Sequence, residues 1–212
     1  MKAVLRSVKP YWLYLIITGK KTVEIGKSCP RAKDWNKVVE MYCSKDMRSF
    51  NRIPEEDKKW MRKYLGKVAC RFVCDKVDEY TFSHYEAEYR VTHIEQRAMC
   101  LNQPELIQYG GGRTLYGWHI TDLKIYDKPK ELSEFYKVGA KSLEKLATDD
   151  ELCSYCYRTG GGEYAMVVTP NGLDACEGRF CEEAYEEYLE QEFALTRPPE
   201  SWMYIQELEE RK

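Results

Sequence analysis

Three groups of residues in this 212-residue chain combine side chains and spacings that can do chemistry. The first is Lys21-Thr22-Val23-Glu24. A lysine beside a carboxylate can position a proton, and a lysine stripped of water can act as a base. A threonine hydroxyl becomes a nucleophile when a base lies within reach. On a strand Thr22 and Glu24 would share one face, because side chains alternate. Lys21 would enter from the strand start, so the three could converge on one ligand. They are the expected ligand-binding residues, and the catalytic set if the protein is an enzyme. The competing reading is a solvent-facing strand edge carrying a Lys–Glu pair. In the pocket reading the pair sits at a cleft mouth, where a substitution moves stability by less than ~0.5 kcal/mol.

The second group is aromatic and basic. Tyr116 and Trp118 could form a wall on which an unpaired base stacks, worth ~1–3 kcal/mol per base. Alternation puts Tyr116, Trp118 and Ile120 on one face, where they would serve equally well as core, and His119 and Thr121 on the other. Upstream, Lys27, Arg31, Lys33 and Lys37 surround Trp35. Such a loop can track a phosphate backbone while its indole stacks, or it is a plain exposed loop.

The third group is thiol. Cys153-x2-Cys156 and Cys176-x4-Cys181 are two close pairs separated by 19 residues. Four thiolates so paired can hold a structural tetrahedral zinc, with no open position for catalysis. The alternative is four unligated thiols. The chain has nine cysteines, the others being Cys29, Cys43, Cys70, Cys74 and Cys100. An odd count without an export signal fits a reducing compartment, so the expected location is the cytoplasm. No apolar run approaches the ~20 residues of a membrane span.

Charge is divided along the chain. Met1 to Arg71 holds 18 Lys and Arg against 7 Asp and Glu, a net of +11, and Asp149 to Lys212 holds 5 against 16, a net of −11. The basic third suits a phosphate-bearing partner, or it is a solvated face paired with the acidic region.

The elements that must position these residues are short. Strands are expected at Ala3 to Val8, Lys21 to Ile25, Lys37 to Cys43, Lys67 to Val77, Tyr89 to Ile94, Leu115 to Tyr126 and Trp202 to Ile205. Val23 and Ile25 are expected to point inward. Helices are expected at Tyr11 to Thr18, ended by Gly19 at C′, at Pro54 to Leu65 and at Pro104 to Tyr109. The fold class is α+β: a mixed β-barrel with short helices packed around it. Residues 1–147 and 194–212 form the barrel. Residues 148–193 are a Cys-rich, acidic insertion that zinc would staple, in which Tyr185, Tyr188, Leu189 and Phe193 could form a helical stripe.

Four segments in order resemble the ASCH domain, a PUA-like family: Lys9-Pro10 after the first strand, Gly19 to Ile25 against G-x-K-T-x-E-x-R, Leu115 to Tyr126, and Arg197-Pro198-Pro199-Glu200-Ser201-Trp202 against the closing R-P-P-x-S-W of a bacterial and phage subgroup. The resemblance implies a PUA-like barrel with a cleft that handles RNA, a nucleotide or a modified nucleoside. Taken with the aromatic and basic groups above, the expected ligand contacts are Lys9, Lys21, Thr22, Glu24, Lys27, Trp35, Tyr116 and Trp118. Some relatives are acetylcytidine amidohydrolases and others nucleases or RNA binders, so an amidohydrolase on a modified cytidine or a ribonuclease, using Lys21 and Glu24, is the alternative to a binding module. A third reading is a phage-derived protein whose acidic insertion binds a host protein or mimics nucleic acid. The chain departs from the family at Gly26, where the usual residue is Arg, and Lys27 would face the other way on a regular strand. Where the amidohydrolases carry Thr, this chain has Glu24.

Overall fold

A computed structural model describes residues 2–31, 37–139, 166–169, 172–175 and 189–206. The first strand, β1 (Lys2–Val8), ends at Lys9-Pro10, and Pro10 opens helix α1 (Pro10–Ile17). A proline is tolerated in the first helical turn because its missing N–H has no partner there. Gly19 follows at φ +71° and turns the chain into β2 (Val23–Gly26). Then come β3 (Val38–Cys43), α2 (Met47–Phe50) and α3 (Glu55–Met61), which tightens into a 3-10 turn at Arg62–Tyr64. Strands β4 (Val68–Val73), β5 (Val77–Tyr80), β6 (Phe82–Ser83) and β7 (Glu88–Tyr89) precede helices α4 (His93–Met99) and α5 (Gln103–Gly110). Strands β8 (Leu115–His119), β9 (Thr121–Lys130) and β10 (Tyr136–Lys137) follow, then the β11 (Met166–Thr169) and β12 (Gly172–Ala175) hairpin and β13 (Trp202–Gln206).

The class is α+β, as expected. One sheet runs β10-β13-β1-β3-β4-β9, and a second runs β2-β8-β5. Only β1 and β3 pair in parallel among the described strands of these two sheets; the remaining pairs are antiparallel. The sheets enclose one core, in which Val4, Met41 and Phe72 of the larger sheet meet Trp118 of the smaller, all fully buried. A second cluster, including Val23, Ile25, Tyr80, Met99 and Leu106, packs the outer face of the smaller sheet under α4 and α5. Among the described residues no helix is long and apolar enough to cross a membrane.

Two expected strands prove to be corners. The stretch from Lys67 to Val77 and the stretch from Leu115 to Tyr126 each leave one sheet for the other, between β4 and β5 and between β8 and β9. The crossings lie together: His119 N donates to Lys76 O at 3.0 Å, and Thr121 Oγ1 to Val73 O at 2.8 Å. Asp122 takes φ +45° to make the bend. Apolar alternation continues through such a corner, so periodicity alone reads one strand.

The strand expected at Tyr89 to Ile94 is a correction. Only Glu88–Tyr89 is strand, and from Thr92 the chain turns helical. Thr92 accepts from Glu95 N, and the Glu95 side chain accepts from Thr92 N, a capping box that outweighs the β-branched residues before it.

Most of the expected insertion, 148–193, lies outside the described residues, Tyr185 and Tyr188 included. Within it the description covers the β11–β12 hairpin and a π-helical turn at Leu189–Phe193.

Candidate functional site

Strand β2 has both faces covered. Val23 and Ile25 face the cluster beneath α4 and α5, while Glu24 pairs across the ladder with Trp118 and faces the central core. A carboxylate 7% exposed in an apolar interior requires charged or hydrogen-bonded partners. Glu24 has two. Its Oε2 lies 3.5 Å from Lys21 Nζ, and its Oε1 lies 3.3 Å from Arg6 Nη2.

Lys21 is 2% exposed. Its Nζ donates to Met99 O at 2.6 Å, the carbonyl ending α4, and sits 5.3 Å from the centre of the Trp12 ring. Burial pushes the Lys21 ammonium below its usual lysine value, and the neighbouring Glu24 charge opposes that fall. A lysine so held gives up its proton more readily than one in water.

Arg6 is the residue that sequence reasoning missed. It lies on β1, 3% exposed, on the same face as Val4 and Val8 of the core. Its guanidinium bridges the two sheets: Nη2 donates to Ile25 O at 2.7 Å as well as reaching Glu24, and Cζ lies 4.9 Å from the centre of the Trp118 ring. Nε and Nη1 are buried without a hydrogen-bond partner. The signal was a single charge inside the apolar run Ala3 to Val8. Gly26 is explained by the same contact. A Cβ there would lie 3.0 Å from both Nη1 and Nη2 of Arg6, so the glycine leaves the space that the guanidinium fills. The position held by Arg in the resembling family therefore faces an arginine delivered from β1.

The other predicted residues divide. Trp118 is fully buried, part of the core and also the ring beneath Arg6. Tyr116 is half-buried, paired with Gly26 across the ladder. Thr22 is exposed, lies before β2 begins, and does not join the cluster; its backbone N–H donates to Ala98 O at 2.8 Å. Lys9 is exposed and pairs with Asp46 at 3.4 Å, away from Glu24. Lys27 is exposed and places its Nζ 4.9 Å from the Tyr109 ring centre. The Tyr109 hydroxyl lies beside Arg6; burial holds its pKa above the usual phenol value, against the pull of the Arg6 charge. His119 pairs with Asp78 through Nε2 at 2.7 Å. Trp35 lies outside the described residues, as do Cys153, Cys156, Cys176 and Cys181. Among the described residues no cluster of His, Cys, Asp and Glu suits a metal.

The closing segment positions the last wall. Ser7 N donates to Ser201 O at 2.9 Å, and Ser7 Oγ to Pro199 O at 2.6 Å. These bonds register β13 on β1 so that Trp202 stands opposite Arg6, its Nε1 donating to Ser28 Oγ at 2.9 Å and its ring 6.3 Å from Trp118.

The arrangement therefore has two cations around one carboxylate, indole faces on either side, and unused guanidinium donors. Its guanidinium and ammonium groups can donate to an oxyanion or carbonyl.

No family model matches the chain, and no curated protein matches it. Among solved structures it is similar to an ASCH protein from Zymomonas mobilis at 13% identity, covering 89% of this chain and 94% of that one with a TM-score of 0.36. A tyrosine-to-phenylalanine variant of the same protein matches at 13% identity over 90% of this chain and 99% of that one, with a TM-score of 0.37.

Proposed function

We propose that this protein is an ASCH-like binding module that takes RNA, a nucleotide or a modified nucleoside between its two sheets, against Arg6, Lys21 and Glu24. The observation that carries the reading is the buried cluster itself. Two cations sharing one carboxylate among apolar residues is a costly arrangement that packed hydrophobic side chains could replace. A site for a polar ligand gives that cost a purpose. A nucleobase offers the matching chemistry: carbonyl oxygens for the cations, exocyclic amino groups for the carboxylate, and a flat face for an indole. The +11 excess of the first 71 residues adds attraction for a phosphate-bearing ligand.

Binding is favoured over catalysis by Thr22. Its exposure takes the hydroxyl away from Lys21 and Glu24, so the Lys–carboxylate pair has no nucleophile of its own among the three. The test is titration of the full chain with single-stranded RNA, cytidine and N4-acetylcytidine, followed by tryptophan fluorescence, with product analysis of the acetylcytidine sample. Saturable binding without turnover is expected. Deacetylation would turn the assignment to an amidohydrolase, and absence of binding to all three would overturn it.

For the four thiols Cys153, Cys156, Cys176 and Cys181 we propose one structural zinc, on their spacing alone. Native mass spectrometry should find one zinc per chain, and metal-free protein with all four thiols open to alkylation would exclude it.

A further inference from the structure

We propose that Arg6 is an oxyanion-binding residue of this site, taking a phosphate group of the ligand on the guanidinium donors that the protein leaves unused. The inference rests on the binding reading above and names the chemical group that the site selects.

Three observations carry it. Arg6 is 3% exposed, yet its Nε and Nη1 have no hydrogen-bond partner. Buried guanidinium donors left unpaired are costly, and such a group is normally satisfied by the protein, by water or by a ligand. Second, the charge within the cluster does not balance. Both oxygens of Glu24 are engaged, one by each cation, so a single carboxylate faces two positive groups. Third, the guanidinium is held ready. Ile25 O fixes Nη2 at 2.7 Å, the Trp118 ring lies 4.9 Å from Cζ, and Gly26 makes room where any side chain would press on both Nη atoms. An arginine fixed in this way loses little freedom on binding, and its fork matches phosphate or carboxylate oxygens.

The neighbours fit an anion. Lys27 is exposed at the edge of the site, over Tyr109. The Tyr109 hydroxyl lies against Arg6, with burial holding its pKa above the usual phenol value and the Arg6 charge and hydrogen bond opposing that rise. Two further contacts lie beside Gly26 and Arg6, the Lys27–Tyr109 stack and the Trp202–Ser28 hydrogen bond at 2.9 Å. Phosphate is preferred over carboxylate because it can carry more negative charge, which the +11 excess of the first 71 residues attracts more strongly.

The test compares cytidine 5′-monophosphate, cytidine, inorganic phosphate, acetate and single-stranded RNA on the full chain. The monophosphate should bind at least about 10-fold tighter than cytidine, because a charge-assisted bidentate contact is among the stronger polar interactions. Inorganic phosphate should compete better than acetate and should shift the Arg6 Nε–H resonance in 15N-edited spectra, a readout that needs no variant. Arg6→Met should erase the preference for the monophosphate, and Arg6→Lys should keep only part of it. In the double variant Arg6→Ala with Gly26→Arg, a guanidinium returns from β2 and should recover part of the preference. An unmoved Arg6 resonance together with equal affinities for monophosphate and nucleoside would overturn the proposal. So would acetate competing better than phosphate, which would make the site a carboxylate site. RNA binding that Arg6→Met leaves unchanged, with no competition by phosphate, would reject the Arg6 assignment and keep the RNA reading. Arg6-dependent phosphate binding without any RNA or nucleoside binding would keep the anion site and reject the RNA reading.

Discussion

Glu24 stands between Arg6 and Lys21 in the interior, and its removal would leave two buried cations facing each other. Breaking such a group by deleting the shared partner costs ~3–5 kcal/mol. Glu24→Ala is therefore expected to lower the unfolding free energy by about that much in urea titrations. Lys21→Met should cost less, since Glu24 keeps Arg6. This replaces the expectation that both residues sit at a cleft mouth with little part in stability: at 7% and 2% exposure they are interior residues. Nearly unchanged stability of Glu24→Ala would return the pair to the surface. The buried thiols act at the same scale. Burial pushes Cys43 and Cys70 up to about 12 and Cys74 up to about 11, from an ordinary value of 9.0. A thiol raised in the folded state binds more protons folded than unfolded above pH 9, so stability falls as pH rises from there toward 12. Lys21 works in the opposite sense, since its lowered value makes stability rise up to the usual lysine value of 10.5. Three thiols outweigh one lysine, and urea midpoints under reducing conditions should decline between pH 9 and 10.5. A flat or rising profile would contradict the burial of these thiols.

At the scale of elements, α4 bears directly on the site. Its last residue supplies the carbonyl that holds Lys21, and Ala98 O holds Thr22 N. The helix has only seven residues, so its cap matters. Thr92→Ala should cost ~1 kcal/mol in chemical unfolding, and Thr92→Asp should restore it, because either side chain can accept at the N-terminus. Both variants remaining at wild-type stability would mean that packing alone holds α4. Helix α5 is positioned by Gly110. A Cβ there would fall 1.8 Å from Tyr89 Oη, which itself donates to Arg113 O at 2.7 Å. Gly110→Ala must displace the Tyr89 ring and should destabilise by ~1–3 kcal/mol. Calorimetric melting near the wild-type temperature would show that α5 shifts freely.

For the whole molecule, the uneven charge makes a prediction about salt. If RNA binds through the basic N-terminal third, log K should fall linearly with log salt concentration, with a slope near −0.7 per phosphate neutralised for a single strand, about −2 to −3 for a few contacts. Filter-binding between 50 and 300 mM salt would measure it, taking roughly that range as suitable for counterion release. A slope near zero would place the affinity in the stacking surfaces and leave the basic face without a part in it.

Local chemistry was legible in the sequence wherever neighbouring residues sufficed. Gly19 at the end of α1, Pro10 at its start, the alternation of β2 and the burial of Trp118 follow from rules that act within a few residues, and the structure has them. The Thr92-x-x-Glu95 box also stands in the sequence, but the β-branched residues beside it read as a strand. Tertiary structure alone decided what meets across the two sheets. Alternation assigned Glu24 to one face of β2 but could not say that this face is the core, because both faces of β2 are covered. Nor could it join Arg6 to Glu24, 18 residues apart in sequence and on strands of different sheets. A buried charge is stable only beside its partner, and the register of β13 on β1, with the corners at Val73 and His119, brings that partner into place.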